Sequence, residues 1–180
     1  MNLSDLHARL EELVARIFAR REELKRLRGA PSRQQLNPPA AEAEIERVER
    51  LLEIRFPDDY RAFLLMHDGW RRFDGENDLL STEQMTSGPM KDSIRELQNF
   101  QREAGDLPAA EGVVIVASLS GMDIAFYDRG SRRQEGGMEV VRWFSGEYRR
   151  FPSFLEFLEG YAESVERRIV NERQKLRLPS

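Results

Sequence analysis

The sequence predicts an α+β fold, in which helices pack an antiparallel β-sheet, with a long helix at the N-terminus. Three observations lead to this class. Helical hydrophobic spacing recurs between residues 3 and 69, short apolar runs separated by turn signals follow between residues 113 and 144, and a second long helical pattern begins at Ser153. Helices, then strands, then a closing helix is the order typical of an α+β domain, not of alternating βαβ units.

The N-terminal helix has the most regular pattern in the chain. From Leu3 to Leu27, apolar residues recur at spacings of three and four, interrupted only at Arg20. Gly29 followed by Pro31 is a usual order of residues at a helix end. The apolar seam has three possible partners: the body of the same chain, a second copy in a homodimer, or another protein. Packing on the same chain is the commonest outcome for a lone helix.

Two further helices are predicted before the strands. Asn37 is a favourable N-cap residue and Pro38 suits the first helical position, so a second helix is expected over residues 37–54. A third is expected within residues 56–69, where Pro57 starts the first turn and acidic residues follow it. His67 falls at the end of this helix.

The sheet is predicted to be a meander of antiparallel strands. Its three main strands are expected at residues 113–118, 123–128 and 138–144, with a loop at 130–137 and a shorter strand at Leu79 and Leu80. A modest helix is expected at 93–101. Ser153 and Glu156 form a capping box that begins the last helix.

Composition limits the class of protein. Hydrophobic residues make up 40% and charged residues 33% of 180 residues, which indicates a soluble globular domain. No apolar run approaches the roughly 20 residues needed to span a bilayer. A net charge of -4 disfavours general binding to nucleic acid. We therefore expect a cytoplasmic protein with neither nucleic acid nor membrane as a partner.

The motifs of enzymes and cofactor sites are not found in the sequence. There is no Cys, and the only histidines, His7 and His67, lie on predicted helices without a nucleophile signature nearby. Acidic residues alternate at 74, 76 and 78 like the first ligands of a calcium loop, but Leu79 and Met85 replace the required glycine and glutamate. We expect no catalysis, no cofactor and no metal.

Acidic and aromatic residues between the third helix and the first main strand suggest a protein-binding surface. Aromatic anchors surrounded by carboxylates suit an interface with a basic partner. Two further acids flank the second main strand. The predicted partner-binding residues are Asp68, Trp70, Phe73, Asp74, Glu76, Asp78, Asp123 and Asp128. The alternative is a solvated loop in which Trp70 belongs to the core.

Residues 37–70 resemble the opening of the SMI1/KNR4 (SUKH) superfamily, in which a proline-capped acidic helix leads into a leucine-proline-x-x-tyrosine helix and a glycine. Phe56 replaces the leucine, while Pro57, Tyr60 and Gly69 match the motif. The later runs VVIVASLSGMDIAFYD, VVRWF and FPSFLEFLEGY resemble the strands and closing helix of the same superfamily. The resemblance covers about residues 37–161.

The resemblance implies a non-enzymatic role. Members are immunity proteins encoded beside bacterial polymorphic toxins, and fungal members regulate cell-wall synthesis and signalling. We expect a SUKH domain over residues 37–175 after a helical arm over residues 1–29. The resemblance implies a cognate toxin as partner. The alternative is a scaffold or regulatory protein that uses its N-terminal helix for dimerisation or docking.

Overall fold

The computed structural model describes residues 2–119, 121, 123–144 and 147–177. The chain divides into two compact units: Met1–Gln34 with Leu155–Ser180, and Gln35–Phe154. The domain boundaries expected from the sequence, 1–29 and 37–175, remain a prediction.

The described residues form seven α-helices, seven strands and one 3-10 turn, which confirms the predicted α+β class. In chain order the elements are α1 Leu3–Leu27, β1 Gln35–Leu36, α2 Glu42–Leu51, α3 Asp58–Met66, β2 Trp70–Asp74, β3 Asn77–Leu79, α4 Thr82–Thr86, α5 Gly88–Glu103, α6 Leu107–Glu111, β4 Val113–Ala117, β5 Ile124–Tyr127, the 3-10 turn Arg129–Ser131, β6 Val140–Phe144, β7 Glu147–Phe151 and α7 Phe154–Lys175.

The first unit contains α1 beside α7. Ion pairs join Arg9 to Glu159 at 2.6 Å and Glu23 to Arg173 at 2.7 Å. Because the residue number rises along both helices from one pair to the next, the helices run in the same direction. The predicted seam of α1 is buried along most of its length, with Val14 added to it: Leu6, Leu10, Leu13, Val14, Ile17 and Leu24. The single chain therefore buries this seam without a second copy.

Acidification should weaken the first unit through Glu23. Hydrogen bonding to Arg20, reinforced by Arg173, lowers the pKa of Glu23 below its ordinary value of 4.5. A lowered pKa in the folded state means that this contribution is present above pH 4.5 and is lost as the pH falls through the folded value. The melting temperature should decrease less on acidification in Glu23→Gln than in the unaltered protein. Glu163→Gln, which alters an exposed pair with Arg167, is the control and should leave the profile unchanged.

The second unit contains the sheet. Its strands lie in chain order from β1 to β7, each antiparallel to the next, so the predicted meander is confirmed and is longer than expected. The hydrophobic pattern of the sequence does not predict β1, β2 or β7. Arginines and acidic residues in β2 and β7 interrupt the apolar alternation that identifies a strand, and β1 has only two residues.

The predicted start of the second helix is wrong. Residues 37–40 are not helical, and α2 begins at Glu42 after Ala41. Asn37 has a different role: its backbone N–H donates to Gly69 O at 3.2 Å and its side chain donates to Asp68 O at 2.6 Å. The segment therefore continues the pairing of β1 with β2, and this tertiary contact outweighs the local capping preference.

Helices cover both faces of the sheet in this unit. The ring of Tyr127 in β5 lies 5.6 Å from that of Tyr60 in α3, measured between centroids. Phe126, the residue before Tyr127, points to the opposite face of the sheet. There Gly112, at the end of α6, lies against the ring of Phe126. Gln98 of α5 donates to Gly112 O at 2.8 Å and fixes α5 on that side.

A buried ion pair joins α2 to α3. Glu49 and Arg61 are each 8% exposed, and the Arg61 guanidinium donates to Glu49 Oε2 at 2.5 Å. The other oxygen of Glu49 accepts from the backbone N–H of Phe56 at 2.8 Å. Arg61 also pairs with Glu42. Burial lowers the pKa of Arg61, so the guanidinium depends on these carboxylates to offset its lost hydration.

Candidate protein-binding surface

The predicted partner-binding residues centre on a β-hairpin formed by β2 and β3. Trp70 pairs with Leu79 and Asp74 pairs with Asn77, and the register shifts between these two pairs. Arg72 lies within this irregularity with a φ of 52°. The bulge changes the direction in which the side chains of β2 point.

Both aromatic residues of β2 are buried because of this bulge. Trp70 and Phe73 are 0% and 1% exposed, and their rings meet edge to face at 5.4 Å. In a regular strand, residues three apart would lie on opposite faces of the sheet. Buried to this degree, neither ring is available for direct contact with a partner in this conformation, so the expected aromatic anchors are core residues here.

Asp68 and Asp78 form hydrogen bonds inside the fold. Asp68 accepts from the backbone N–H of Thr82 at 2.7 Å and from its hydroxyl at 2.8 Å. Asp78 accepts from the backbone N–H of Arg72 at 2.7 Å and from the side chain of Gln84 at 2.8 Å. These two carboxylates hold the hairpin and the start of α4 in place, which is a structural role.

The turn of the hairpin bears the more accessible charges. Glu76 is 71% exposed and pairs with Arg72 at 2.9 Å. Asp74 is half-buried and pairs with Arg142 of β6 at 2.7 Å, so an ion pair links the hairpin turn to a distant strand of the same sheet. Charges at a rim of this kind contribute little to stability but affect the rate and selectivity of association.

The sheet register separates the two acids that flank β5. Asp78 of β3 lies opposite Ala117, and Val116 lies opposite Ala125, so the end of β4 and the start of β5 are beside the hairpin turn. Asp123 precedes β5 and lies at this end. Asp128 follows β5 at the other end of the strand, and five residues of extended chain place it about 16 Å from Asp123. Its carboxylate accepts hydrogen bonds from the backbone N–H of Gly130 and from the side chain of Arg150.

An exposed apolar side chain, not among the predicted partner-binding residues, lies at the same end. Leu119 follows β4 and is 61% exposed. A Cβ added to the nearby Gly121 would be 3.9 Å from the side chain of Asn77, which places this loop beside the hairpin. Protein interfaces usually have an apolar centre with polar and charged residues around it. We call Arg72, Asp74, Glu76, Leu119 and Asp123 the hairpin-end surface.

Gly69 fixes the approach to this hairpin. Its φ is 88°, and a Cβ at this position would lie 2.7 Å from both Leu79 O and Ser81 N. We expect Gly69→Ala to lower the free energy of unfolding by about 2 kcal/mol, measured by urea denaturation, because strain and a backbone clash combine. Gly75→Ala is the control: its φ is 67° with no atom within 4 Å, so only conformational strain remains. Equal losses in the two variants would contradict the clash.

The two histidines have backbone contacts. His7 Nδ1 lies 2.9 Å from Leu3 O, and His67 Nδ1 lies 3.3 Å from Asn37 O. His67 caps α3, which confirms its predicted place at a helix end. Among the residues described, no three potential ligands from His, Asp or Glu come together as a metal site. Within the same residues, no helix has the length and apolar character needed to cross a membrane.

Comparison with known proteins identifies the family. The uncharacterised protein YnaB of Bacillus subtilis (strain 168) is 49% identical over 37 residues, which is 21% of this chain and 26% of that protein. The match therefore spans about a quarter of the relative's length. The sequence model of the SMI1 / KNR4 family (SUKH-1) matches residues 39–160, more than half of the chain. The chain belongs to the SMI1 / KNR4 family (SUKH-1).

Proposed function

We propose that this protein is an immunity protein that binds a cognate bacterial toxin in the cytoplasm and blocks it by direct contact, without catalysis. Two features support the proposal: membership of a family that often provides immunity proteins, and the hairpin-end surface. The exposed Leu119 is the observation that carries the choice of surface.

The hairpin-end surface suits rapid capture of a protein partner. Leu119 supplies an apolar centre, and Glu76 supplies a carboxylate on a side chain that is 71% exposed. On binding, the apolar contact would lose its water, while the charges at the edge would steer a basic face of the toxin. The half-buried pair of Asp74 with Arg142 holds the hairpin turn against the sheet and limits the ordering required on binding.

The test is co-expression with the product of the neighbouring open reading frame. We expect a stoichiometric complex in a pull-down and rescue of cells from that product's toxicity. A neighbour that is neither toxic nor bound would remove the immunity proposal.

In that case a scaffold or regulatory role would become the better account. The version that relies on dimerisation through α1 receives no support from the packing. Leu10 and Ile17 at the centre of its seam are both 0% exposed within a single chain.

A further inference from the structure

A groove in the second unit lies between α5 and the start of β4. Its volume is about 340 Å³, within the lower range of ligand pockets in proteins. Val113 at the first position of β4 and Arg129 after β5 line it, so it opens at the end of the sheet opposite to the hairpin-end surface. Contact at one surface leaves the other accessible.

The floor of the groove is apolar. Met85, Val113 and Val114 are buried beneath it, and Leu52 and Ile94 are half-buried along its sides. This arrangement can accept an apolar side chain and remove most of its surface from water. Burial of one such side chain contributes about 1.5–3 kcal/mol before the costs of ordering.

The rim of the groove is basic. Three cations line it, Lys91, Arg95 and Arg129, against the single acid Glu111 among the described lining residues. Lys91 forms no ion pair within the described part of the chain. Among the described residues, Arg95 pairs only with the exposed Asp92, at 2.9 Å. This local excess of positive charge occurs on a protein whose net charge is -4.

Arg129 is a cation held in place by backbone carbonyls. Its guanidinium donates to Leu52 O at 2.6 Å, Glu53 O at 3.0 Å and Glu111 O at 2.9 Å. A guanidinium has five N–H donors, so two remain after these three bonds. None of its described bonds goes to a carboxylate. The charge is therefore fixed in direction and available to an anion.

We propose that this groove binds an acidic peptide segment of a protein partner, with one apolar side chain on the floor and flanking carboxylates on Lys91, Arg95 and Arg129. Charge complementarity selects the flanking groups, and the apolar floor selects the central one. The fixed guanidinium of Arg129 attracts a carboxylate at one position, while the flexible Lys91 adjusts to its neighbour. The site is separate from the toxin-binding proposal and does not depend on it.

The experiment uses the full chain and a short fluorescein-labelled peptide with one central leucine flanked by glutamates. Two comparison peptides carry lysines in place of the glutamates or a serine in place of the leucine. Anisotropy measures affinity, and amide shifts in a 15N-labelled sample locate the site. We expect the acidic apolar peptide to bind best, with shifts around α5 and Arg129. The double variant Lys91→Glu with Arg95→Glu should weaken binding at least about tenfold.

The control for charge is Arg132→Glu with Arg133→Glu, which reverses two exposed cations that do not line the groove. It should change the affinity less than about twofold. The proposal fails if both double variants bind equally, if the lysine peptide binds as well as the glutamate peptide, or if the shifts map elsewhere. Equal shifts with succinate alone would reassign the groove to small carboxylates and also overturn the proposal. None of these results bears on rescue from a toxin, so the two proposals fail separately.

Discussion

Arg61→Met should lower the free energy of unfolding by about 3–5 kcal/mol, the loss typical of removing one partner from a buried ion pair. Glu49, whose side chain is only 8% exposed, would lose its buried cationic partner. Its remaining contacts would be the backbone N–H of Phe56 at 2.8 Å and the more distant Arg55 at 3.4 Å. Since small domains are stable by about 5–15 kcal/mol, the variant should unfold at a much lower urea concentration.

Two further variants test the physical reason. Arg47→Met removes an exposed partner of Glu44, with the two side chains 43% and 52% exposed, and should cost less than about 0.5 kcal/mol. Adding Glu49→Gln to Arg61→Met removes the uncompensated charge but keeps an oxygen acceptor for Phe56, so it should recover part of the loss. The explanation is wrong if Arg61→Met costs no more than Arg47→Met, or if the second substitution gives no recovery.

The long helices and the three main strands could be predicted from the sequence because its strongest local signals agree with the tertiary structure. The seam of α1 and the β-branched run of β4 are both buried as their patterns indicate. The failures occur where a tertiary contact decides the conformation. Asn37 is a favourable helix cap, yet it bonds the chain around Gly69 because β1 pairs with β2. No local pattern contains that information.

The candidate site shows the same division. Asp68, Asp74, Glu76 and Asp78 are close in sequence, and the structure places them on one hairpin and its borders where a loop was predicted. The sequence could not show that Asp68 and Asp78 form hydrogen bonds inside the fold, since their partners Thr82 and Gln84 belong to the next helix. Nor could it place Leu119 beside the turn, because that contact depends on the register of β3 with β4.

The double variant Glu76→Lys with Leu119→Asp should weaken binding of the partner captured by co-expression about 100-fold, or nearly 3 kcal/mol. Leu119→Asp would bring a charge into the expected apolar centre, where it loses water without gaining a partner. Glu76→Lys would repel a basic face and slow association, an effect that should shrink at high salt. Surface plasmon resonance at two salt concentrations separates the dissociation rate from the association rate.

The matched control is Leu51→Asp with Glu46→Lys. Leu51 is 61% exposed, the same as Leu119, and lies at the end of α2. Leu52 O and Glu53 O beside it accept from Arg129, so this position lies toward the sheet end opposite to the hairpin turn. The control changes the same residue types and the same net charge, and it should leave affinity within about twofold.

If both double variants weaken binding equally, the effect comes from general charge or stability, and the hairpin-end surface is not the interface. If only the control weakens binding, the toxin contacts the other end of the sheet. A selective loss in Glu76→Lys with Leu119→Asp, accompanied by loss of rescue in cells, is the result that the interface proposal requires.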